Sequence, residues 1–351
     1  MSDSRYRIER ASEQNAHAVA EFIYKIFGYT YTDSALYDPD RILAYEQDGS
    51  YQIFVCMGPD DGAHGVLLLA FSFPSPRMVE IGELLLDPDV SAATSGQILK
   101  QFIQVLRPHL MSLAERNGLR TVVSFEVTEH RLTQRLSLEM GFMTSGVYLG
   151  YIPGWQRQLR TAPQQRTESP ANARTGASAA GRRTMVVSAR PFRSKTPAQE
   201  LSVAARFEEL IREIYVDFRL QFKFVPPAAN AGPGCIETFV DFRRARAVAE
   251  VHRIGDDTVD ELLRHVRHFH AGFVELVHII LPMSGGNIDP AVEALTAAGA
   301  GFAAVLPDYR DCPVLVMQSI DRRCLAPIPQ GVLSPRANRI VTELMGGGAD
   351  T

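Results

Sequence analysis

Two pairs of titratable side chains stand near the ends of two predicted strands, where a proton could be exchanged. Glu80 and Glu83 lie in a β-forming run that ends at Asp87-Pro88, and Glu126 and His130 close a later run of the same kind. Carboxylates and imidazoles are common general acids and bases. Charges at strand ends are also often simply solvated. The four residues are therefore candidates for catalysis, with a structural alternative.

A run of small residues leads into a long predicted helix. Ser91 to Gln97 contains no large apolar side chain, and apolar residues at helical spacing follow it. The first N–H groups of a helix have no partner within the helix and point toward an anion whatever the side chains are. The run therefore predicts a place where an anion could bind.

The histidines offer a competing interpretation. His265, His268 and His270 lie close together in sequence, and three imidazoles could bind zinc. Arg264 and Arg267 would repel a cation, and no neighbouring Cys or carboxylate completes a known ligand spacing, so the sequence favours solvated histidines and no metal site. The sequence also has no GxGxxG in a strand-helix setting, Walker loop, GxSxG or HExxH motif, which removes the evidence for dehydrogenases, nucleotide hydrolases, serine hydrolases and metalloproteases.

The length and composition of the chain limit the number of domains and the kinds of partner that are expected. A chain of 351 residues is too long for one hydrophobic core, so two domains are expected. A net charge of -4 gives no reason to bind nucleic acid or an anionic membrane. The scattered cysteines and the polar N-terminus without a secretory core predict a cytoplasmic protein.

The predicted elements give an α/β fold with a mixed sheet in two domains. The order β-α-α-β-β-β-α-β-α-β fills residues 1–155, and the polar composition of 156–183 indicates a flexible linker. Strands and helices resume in 184–335, where a helix is expected over 197–220, and leave a tail at 336–351. A short strand at 184–189 could return to complete the first sheet.

This order and two motifs resemble the Gcn5-related N-acetyltransferase family, with one such domain at each end of the chain. The stretch 83–97 is similar to the family's fourth strand and pyrophosphate loop, where Ser91 stands at the Arg or Gln position, Thr94 at the first Gly and Gly96 at the second. One of these three positions matches. Residues 127–142 look like the family's late strand, helix and Gly-Phe step, where the strand splays to admit the acyl arm.

The resemblance implies acyl transfer from acetyl-coenzyme A or another acyl-coenzyme A to an amine of a small molecule or protein. An acidic residue, best Glu83, would deprotonate the amine, and the loop after the first helix would cover the acceptor pocket. The catalytic residues it implies are Glu83, Glu80, Glu126 and Tyr148. The cofactor-binding residues it implies are Leu85, Leu86, Ser91, Thr94, Ser95, Gly96 and Gln97. The substrate residues it implies are Tyr29, Tyr31 and His130.

Two alternatives stay open at this point. Thr94 adds a β-branched side chain where the family has glycine, which favours altered cofactor binding and a non-catalytic pair of domains that binds a ligand or a partner. An acyl-carrier protein could also present its phosphopantetheine arm in place of free coenzyme A. The second domain, which resembles the family in 280–283 and 300–308, has no phosphate loop and is expected to be a structural or dimerising partner.

Overall fold

The computed structural model describes residues 5–71, 75, 77–129, 132–156, 158, 181–192 and 197–346. The chain divides into a first unit, Met1–Ser124 with Gly154–Ala180, and a second unit, Phe125–Pro153 with Gly181–Thr351. The predicted mixed α/β class is confirmed. Residues 125–153, which we predicted within the first domain, group with the second unit. Most of the predicted linker lies outside the described residues.

The first unit opens with strand β1 (Arg7–Arg10), helix α1 (Ala16–Phe27) and helix α2 (Pro39–Asp48), with a 3-10 turn between the helices. Helix α1 buries an apolar stripe and ends at Gly28, whose positive φ of 58° suits glycine. Helix α2 starts where the Asp38 carboxylate accepts the N–H of Asp40, with Pro39 in the first turn. Both helices pack on the sheet in one apolar cluster.

The sheet of the first unit continues with β2 (Tyr51–Met57), β3 (Ala63–Ala70) and β4 (Met78–Leu86). Helix α3 (Ala92–Arg116) follows β4 and leads to β5 (Thr121–Val127), of which 121–124 belong to this unit. Neighbouring strands β1 to β4 are antiparallel, whereas β4 and β5 run parallel. A helix between parallel neighbours is the usual crossover.

The second unit contains helix α4 (Leu132–Glu139), strand β6 (Met143–Ile152) and strand β7 (Arg183–Pro191). After a small parallel pair, β8 (Gln199–Leu201) and β9 (Phe222–Phe224), with helix α5 (Glu208–Phe218) between them, its sheet resumes with β10 (Cys235–Asp241) and β11 (Arg246–Arg253). Helix α6 (Thr258–Ala271), strand β12 (Leu276–Pro282), helix α7 (Asp289–Ala297), strands β13 (Gly301–Tyr309) and β14 (Cys312–Ile320), and helix α8 (Pro335–Gly346) complete it. The strand order in this unit is β7-β6-β13-β14-β12-β11-β10.

Among the described residues, no helix combines the length and the apolar character that crossing a bilayer requires.

Candidate functional site

Strand β4 loses one of its two neighbours halfway along its length. Its antiparallel ladder with β3 runs from Glu80 to Leu86. Its parallel ladder with β5 covers Met78–Ile81 against Thr121–Ser124. Among the described residues of the first unit, the second half of β4 therefore pairs on the β3 side only. A strand edge without a pairing partner offers backbone N–H and C=O groups to an extended ligand that contains amides.

A β-bulge lies at the point where β5 leaves. Leu67 pairs with Leu84 and Leu69 pairs with Ile81, so Leu68 faces both Gly82 and Glu83. Two residues opposite one is the definition of a bulge, and bulges re-aim side chains. Strict alternation would put two residues three apart on opposite faces. Because of the bulge, Glu83 faces the same side as Glu80.

The shared face of the two glutamates is the one covered by α1 and α2. Tyr31 follows α1 and packs in the same buried cluster as Leu68 and Leu85 of the sheet. Burial, followed by the charges of Glu83 and Glu80, raises the pKa of the Tyr31 phenol well above its ordinary value. The structure thus brings together Glu80, Glu83 and Tyr31, and the phenol remains protonated beside the two carboxylates.

The aromatic segment around Tyr31 is held by short contacts. The Tyr31 N–H donates to the Tyr37 hydroxyl at 2.8 Å, and the Tyr31 ring lies 4.8 Å from that of Phe27. Tyr29, the other aromatic predicted to contact substrate, is 77% exposed. Its ring contacts those of Tyr24 and Tyr37. Of the two tyrosines predicted to contact substrate, Tyr31 is buried and Tyr29 is exposed.

A cavity of about 420 Å³ opens beside the start of α2. Its charged and hydroxyl-bearing lining residues are Asp33, Ser34, Asp38, Arg41 and Tyr45. Burial and the Asp33 carboxylate raise the pKa of the Tyr45 phenol. The cavity carries two carboxylates against one guanidinium, so its electrostatics favour a cation.

The start of α3 is capped by its own sequence. The Ser91 hydroxyl accepts the N–H of Thr94 at 3.2 Å, and the Ser91 carbonyl accepts the N–H of Ser95 at 2.9 Å. The side chain of Ser95 is buried, whereas Ser91 and Gln97 are exposed. A Cβ added to Gly96 would meet nothing within 4 Å. The first turn carries no acidic side chain and the space beside Gly96 is open, so the residues fit an anion once the Ser91 hydroxyl turns away from Thr94.

Leu85 and Leu86, at the end of β4, are buried at 4% and 5% exposure. They can reach a cofactor only through their backbone groups.

Sequence reasoning missed an ion-paired clamp that fixes the end of β4. Asp87 is 2% exposed, and its carboxylate accepts hydrogen bonds from Lys25 Nζ at 2.7 Å and from the Asp89 N–H at 3.0 Å. His64 Nδ1 lies 2.8 Å from the same carboxylate. Burial alone would raise the pKa of Asp87, but these hydrogen bonds outweigh burial and lower it. In the sequence, Asp87-Pro88 indicated only the end of a strand. Nothing in its spacing indicated that Asp87 has partners on α1 and β3.

Glu126 and Tyr148 belong to the second unit and are buried there. Ser188 donates to Glu126 Oε2 at 3.1 Å, while Oε1 has no hydrogen-bond partner among the described residues. Burial raises the pKa of Glu126 to about 8, against the opposing hydrogen bonds of Ser137 and Ser188. Tyr148 is 5% exposed and its ring stacks on Phe125. His130, the remaining predicted residue, lies outside the described residues.

In the second unit, two neighbouring parallel strands also stop pairing before one of them ends. The chain itself occupies the helix start beside them. The ladder between β11 and β12 ends at Glu250 and Ile280, whereas β11 continues to pair with β10 as far as Arg253. Loop 228–234 covers the start of α6, where the Asp257 carboxylate accepts the N–H of Gly234 at 2.6 Å. A Cβ on Gly255 would stand 2.1 Å from the backbone of that loop. Because this helix start is occupied by the chain itself, it offers no anion site comparable to the start of α3.

The predicted histidine cluster is engaged in other contacts. His270 bonds to the Val274 carbonyl and to the Ser319 hydroxyl through its two ring nitrogens. The described part of the chain holds no group of three or more His, Cys, Asp or Glu side chains placed to bind a metal ion.

Comparison with known proteins gives similarity in structure only. No family model matches the chain, and no curated protein matches it in sequence. Ribosomal-protein-S5-alanine acetyltransferase from Vibrio fischeri has a TM-score of 0.39 and 8% identity, covering 56% of this chain and 98% of its own. Spermidine N-acetyltransferase from Vibrio cholerae, in complex with CoA and spermine, has a TM-score of 0.35 and 11% identity, covering 55% and 98%. A putative acetyltransferase from Acinetobacter baylyi has a TM-score of 0.37 and 13% identity, covering 55% and 94%. At these TM-scores and identities the similarity carries no argument about function, which has to follow from the chain's own residues.

Proposed function

We propose that the first unit transfers an acyl group from an acyl thioester of the coenzyme A type to an amine. The observation that carries this proposal is the convergence of Glu80, Glu83 and Tyr31 on one face of β4, at the residue where the ladder with β5 ends. The thioester and the amine must be held close together and aligned for reaction. An open strand edge and two carboxylates beside a neutral phenol are groups that could hold them in this way.

Glu83 is the base in this proposal. An ammonium group has no lone pair, so a carboxylate must take its proton, directly or through a water molecule, before nitrogen can attack. The nitrogen then bonds to the thioester carbonyl carbon, the C–S bond breaks, and the thiolate leaves with the bonding pair and takes up the proton that the nitrogen gives up as the amide forms. Tyr31 stays protonated because burial and the two carboxylates raise its pKa, so its hydroxyl can donate a hydrogen bond that orients Glu83 or the amine.

The donor would be held by backbone and hydroxyl groups at the start of α3. Ser91, Thr94, Gly96 and Gln97 are the residues of the predicted loop that lie at the surface or are half-buried. The helix dipole favours a pyrophosphate there. The clamp on Asp87 fixes the end of β4 relative to this loop, because it ties α1, β3 and β4 together.

The acceptor side favours a cationic amine. Asp33 and Asp38 line the cavity beside α2, and Asp33 also raises the pKa of Tyr31. A second ammonium group of a polyamine or a lysine-like side chain would be attracted to these carboxylates.

Binding of acetyl-coenzyme A to two matched pairs of variants tests the donor site. Gly96→Trp fills the open space beside the first turns of α3, whereas Gly96→Ala adds one methyl group that contacts nothing within 4 Å. Ser91→Asp and Ser91→Asn can both cap Thr94, but only the aspartate adds a charge that repels phosphate. We expect calorimetric titration to show binding to the wild type and to Gly96→Ala and Ser91→Asn. Affinity should fall at least about tenfold, or about 1.4 kcal/mol, in the other member of each pair.

Turnover tests the base. With a panel of primary amines, Glu83→Gln should reduce kcat/KM by about 100-fold, within the range for loss of a general base, while coenzyme A binding persists. Glu80→Gln is the matched control on the same face and should cost less. If Gly96→Trp and Ser91→Asp both bind acetyl-coenzyme A as well as the wild type does, the assignment of the donor site is refuted. If Glu83→Gln keeps full activity, the assignment of Glu83 as the base is refuted.

A second candidate is a non-catalytic unit that binds a ligand or partner. The observation that favours it is the Ser91 cap, which already engages the Thr94 N–H that a phosphate would use. An enzyme that takes its acyl group from a carrier protein is distinguished by acyl-pantetheine, which lacks the nucleotide. If Gly96→Trp and the wild type turn over acyl-pantetheine equally, the result supports an enzyme that takes its acyl group from a carrier protein. If neither acetyl-coenzyme A nor acyl-pantetheine is turned over, the result supports the non-catalytic unit.

A further inference from the structure

We propose that one end of the second unit docks on an anionic lipid bilayer through two phenylalanines that stand out from neighbouring loops. Phe242 lies in the turn between β10 and β11, and Phe273 lies between α6 and β12. They are 80% and 91% exposed, the two highest values among the large apolar side chains of the described residues. This docking is independent of the proposed acyl transfer.

The two loops adjoin at the end of the sheet where β11 and β12 begin. The Ala245 carbonyl accepts the N–H groups of Glu275 at 2.9 Å and of Leu276 at 3.3 Å. Ala245 also closes the turn that holds Phe242, because its N–H donates to the Phe242 carbonyl at 3.2 Å. Glu275 follows Phe273 by two residues in the chain. The two phenylalanines therefore lie at the same end of one sheet and can contact the same surface together.

Phe273 occupies a position where helices usually have glycine. The Val274 N–H donates to the Phe269 carbonyl at 3.0 Å and the Phe273 N–H donates to the His270 carbonyl at 3.3 Å, the hydrogen bonds of a Schellman motif at the end of α6. Phe273 has a φ of 66°, and a bulky side chain in this left-handed conformation is strained. Strain of this kind concentrates at functional positions. Because an exposed side chain contributes little to packing, the strain favours a role for Phe273 outside the folded chain.

The charge around the two loops indicates the kind of partner. Segments 241–246, 267–275 and 321–323 contain six arginines and three acidic residues, although the whole chain has a net charge of -4. The third segment belongs to the same end, because the Asp321 N–H donates to the Glu275 carbonyl at 3.0 Å. Each of the three acidic side chains is ion-paired with an arginine, and Arg243 and Arg267 are exposed. This end of the unit is therefore basic and attracts anionic headgroups.

A lipid surface fits this arrangement better than a folded protein does. The centre of a protein interface is a continuous apolar area, whereas the two phenyl rings stand on separate loops close to exposed arginines. Phenylalanine combined with arginine is the composition of segments that lie in a membrane interface, where the rings enter the acyl boundary and the cations bind headgroups.

Sedimentation with vesicles tests this docking in the full chain. We expect binding to vesicles of phosphatidylcholine mixed with phosphatidylglycerol, much weaker binding to phosphatidylcholine alone, and loss of binding as the salt concentration rises to about 0.5 M. Phe242→Ser and Phe273→Gly should each weaken binding by about tenfold or more, because each removes one apolar side chain from the interface. The matched control is Val216→Ser, which removes an exposed apolar side chain from α5 of the same unit and should bind as the wild type does.

Phe273→Gly also separates docking from folding. Glycine adopts a φ of 66° without strain, so this variant should melt at or above the wild-type temperature while it loses binding. A lower melting temperature would show that Phe273 packs within the chain, and it would overturn the assignment.

Tryptophan fluorescence gives an independent measurement. In a Trp155→Phe background, which removes the one native tryptophan, Phe242→Trp should emit at shorter wavelength when anionic vesicles are added, whereas Val216→Trp should not. A wild type that does not sediment with anionic vesicles, equal binding of Phe273→Gly and wild type, or unchanged emission of Phe242→Trp overturns the proposal. A protein or nucleic-acid partner at this surface would give the first of these results.

Discussion

Replacing Glu126 with glutamine should stabilise the chain progressively as the pH rises from about 4.5 to 8. Burial raises the pKa of this carboxyl from 4.5 to about 8 in the folded chain. Between these values the unfolded chain gives up the proton while the folded chain keeps it. A raised folded pKa therefore contributes stability that is complete below the unfolded value and is lost as the pH rises through the folded value.

The magnitude follows from the difference between the folded and unfolded pKa values. A tenfold change in a protonation equilibrium corresponds to about 1.4 kcal/mol, so at pH 7 the wild type should have lost on the order of 3 kcal/mol relative to its stability at pH 4.5 through this group alone. Glutamine has the same shape, stays neutral, and its amide oxygen can accept the Ser188 hydroxyl that now bonds to Oε2. The variant should match the wild type near pH 4.5 and exceed it at pH 7 and 8.

Urea unfolding followed by circular dichroism at several pH values measures this difference. The control is Glu200→Gln, which removes the same charge from an exposed position on β8. We expect the midpoint difference between Glu126→Gln and wild type to grow by about 1 M between pH 4.5 and 7, if the slope is about 3 kcal/mol/M. The control should follow the wild type. Parallel pH profiles for wild type and Glu126→Gln would show that the carboxyl ionises normally and that its burial is misassigned.

Three further predictions follow from single contacts. Tyr31→Phe removes the hydroxyl beside Glu83 and should lower kcat/KM by about tenfold or more with little change in melting temperature; unchanged kinetics would exclude the role. Asp87→Asn leaves Lys25 without its buried partner and should cost about 1 to 3 kcal/mol in urea unfolding; a neutral effect would show that the clamp is not structural. Gly255→Ala forces a Cβ into backbone 2.1 Å away, whereas Gly96→Ala meets nothing within 4 Å. The first should lower the melting temperature by several degrees and the second should not, and equal effects would contradict the packing described for loop 228–234.

The local pattern predicted most elements of the first unit. Helix α1 follows from its apolar spacing and Gly28, and α2 from Asp38 and Pro39, because caps and periodicity act within a few residues. Helix prediction failed at 197–220, where the structure has β8, a 3-10 turn and the shorter α5. Strand β8 pairs with β9 some twenty residues later, and a pairing partner at that distance leaves no mark on local periodicity.

The sequence predicted the residue types of the candidate site, whereas tertiary contacts determined its geometry. Sequence alone determined that acidic residues lie on the strand before a small-residue helix start, since these are properties of adjacent positions. Only the tertiary structure placed Glu80 and Glu83 on one face, because the bulge depends on the register with β3. It also buried Tyr31 beside them and paired Asp87 with Lys25 and His64. The sequence carries side-chain chemistry and local spacing, whereas faces, burial and ion pairs arise from residues far apart in the chain that meet only when it folds.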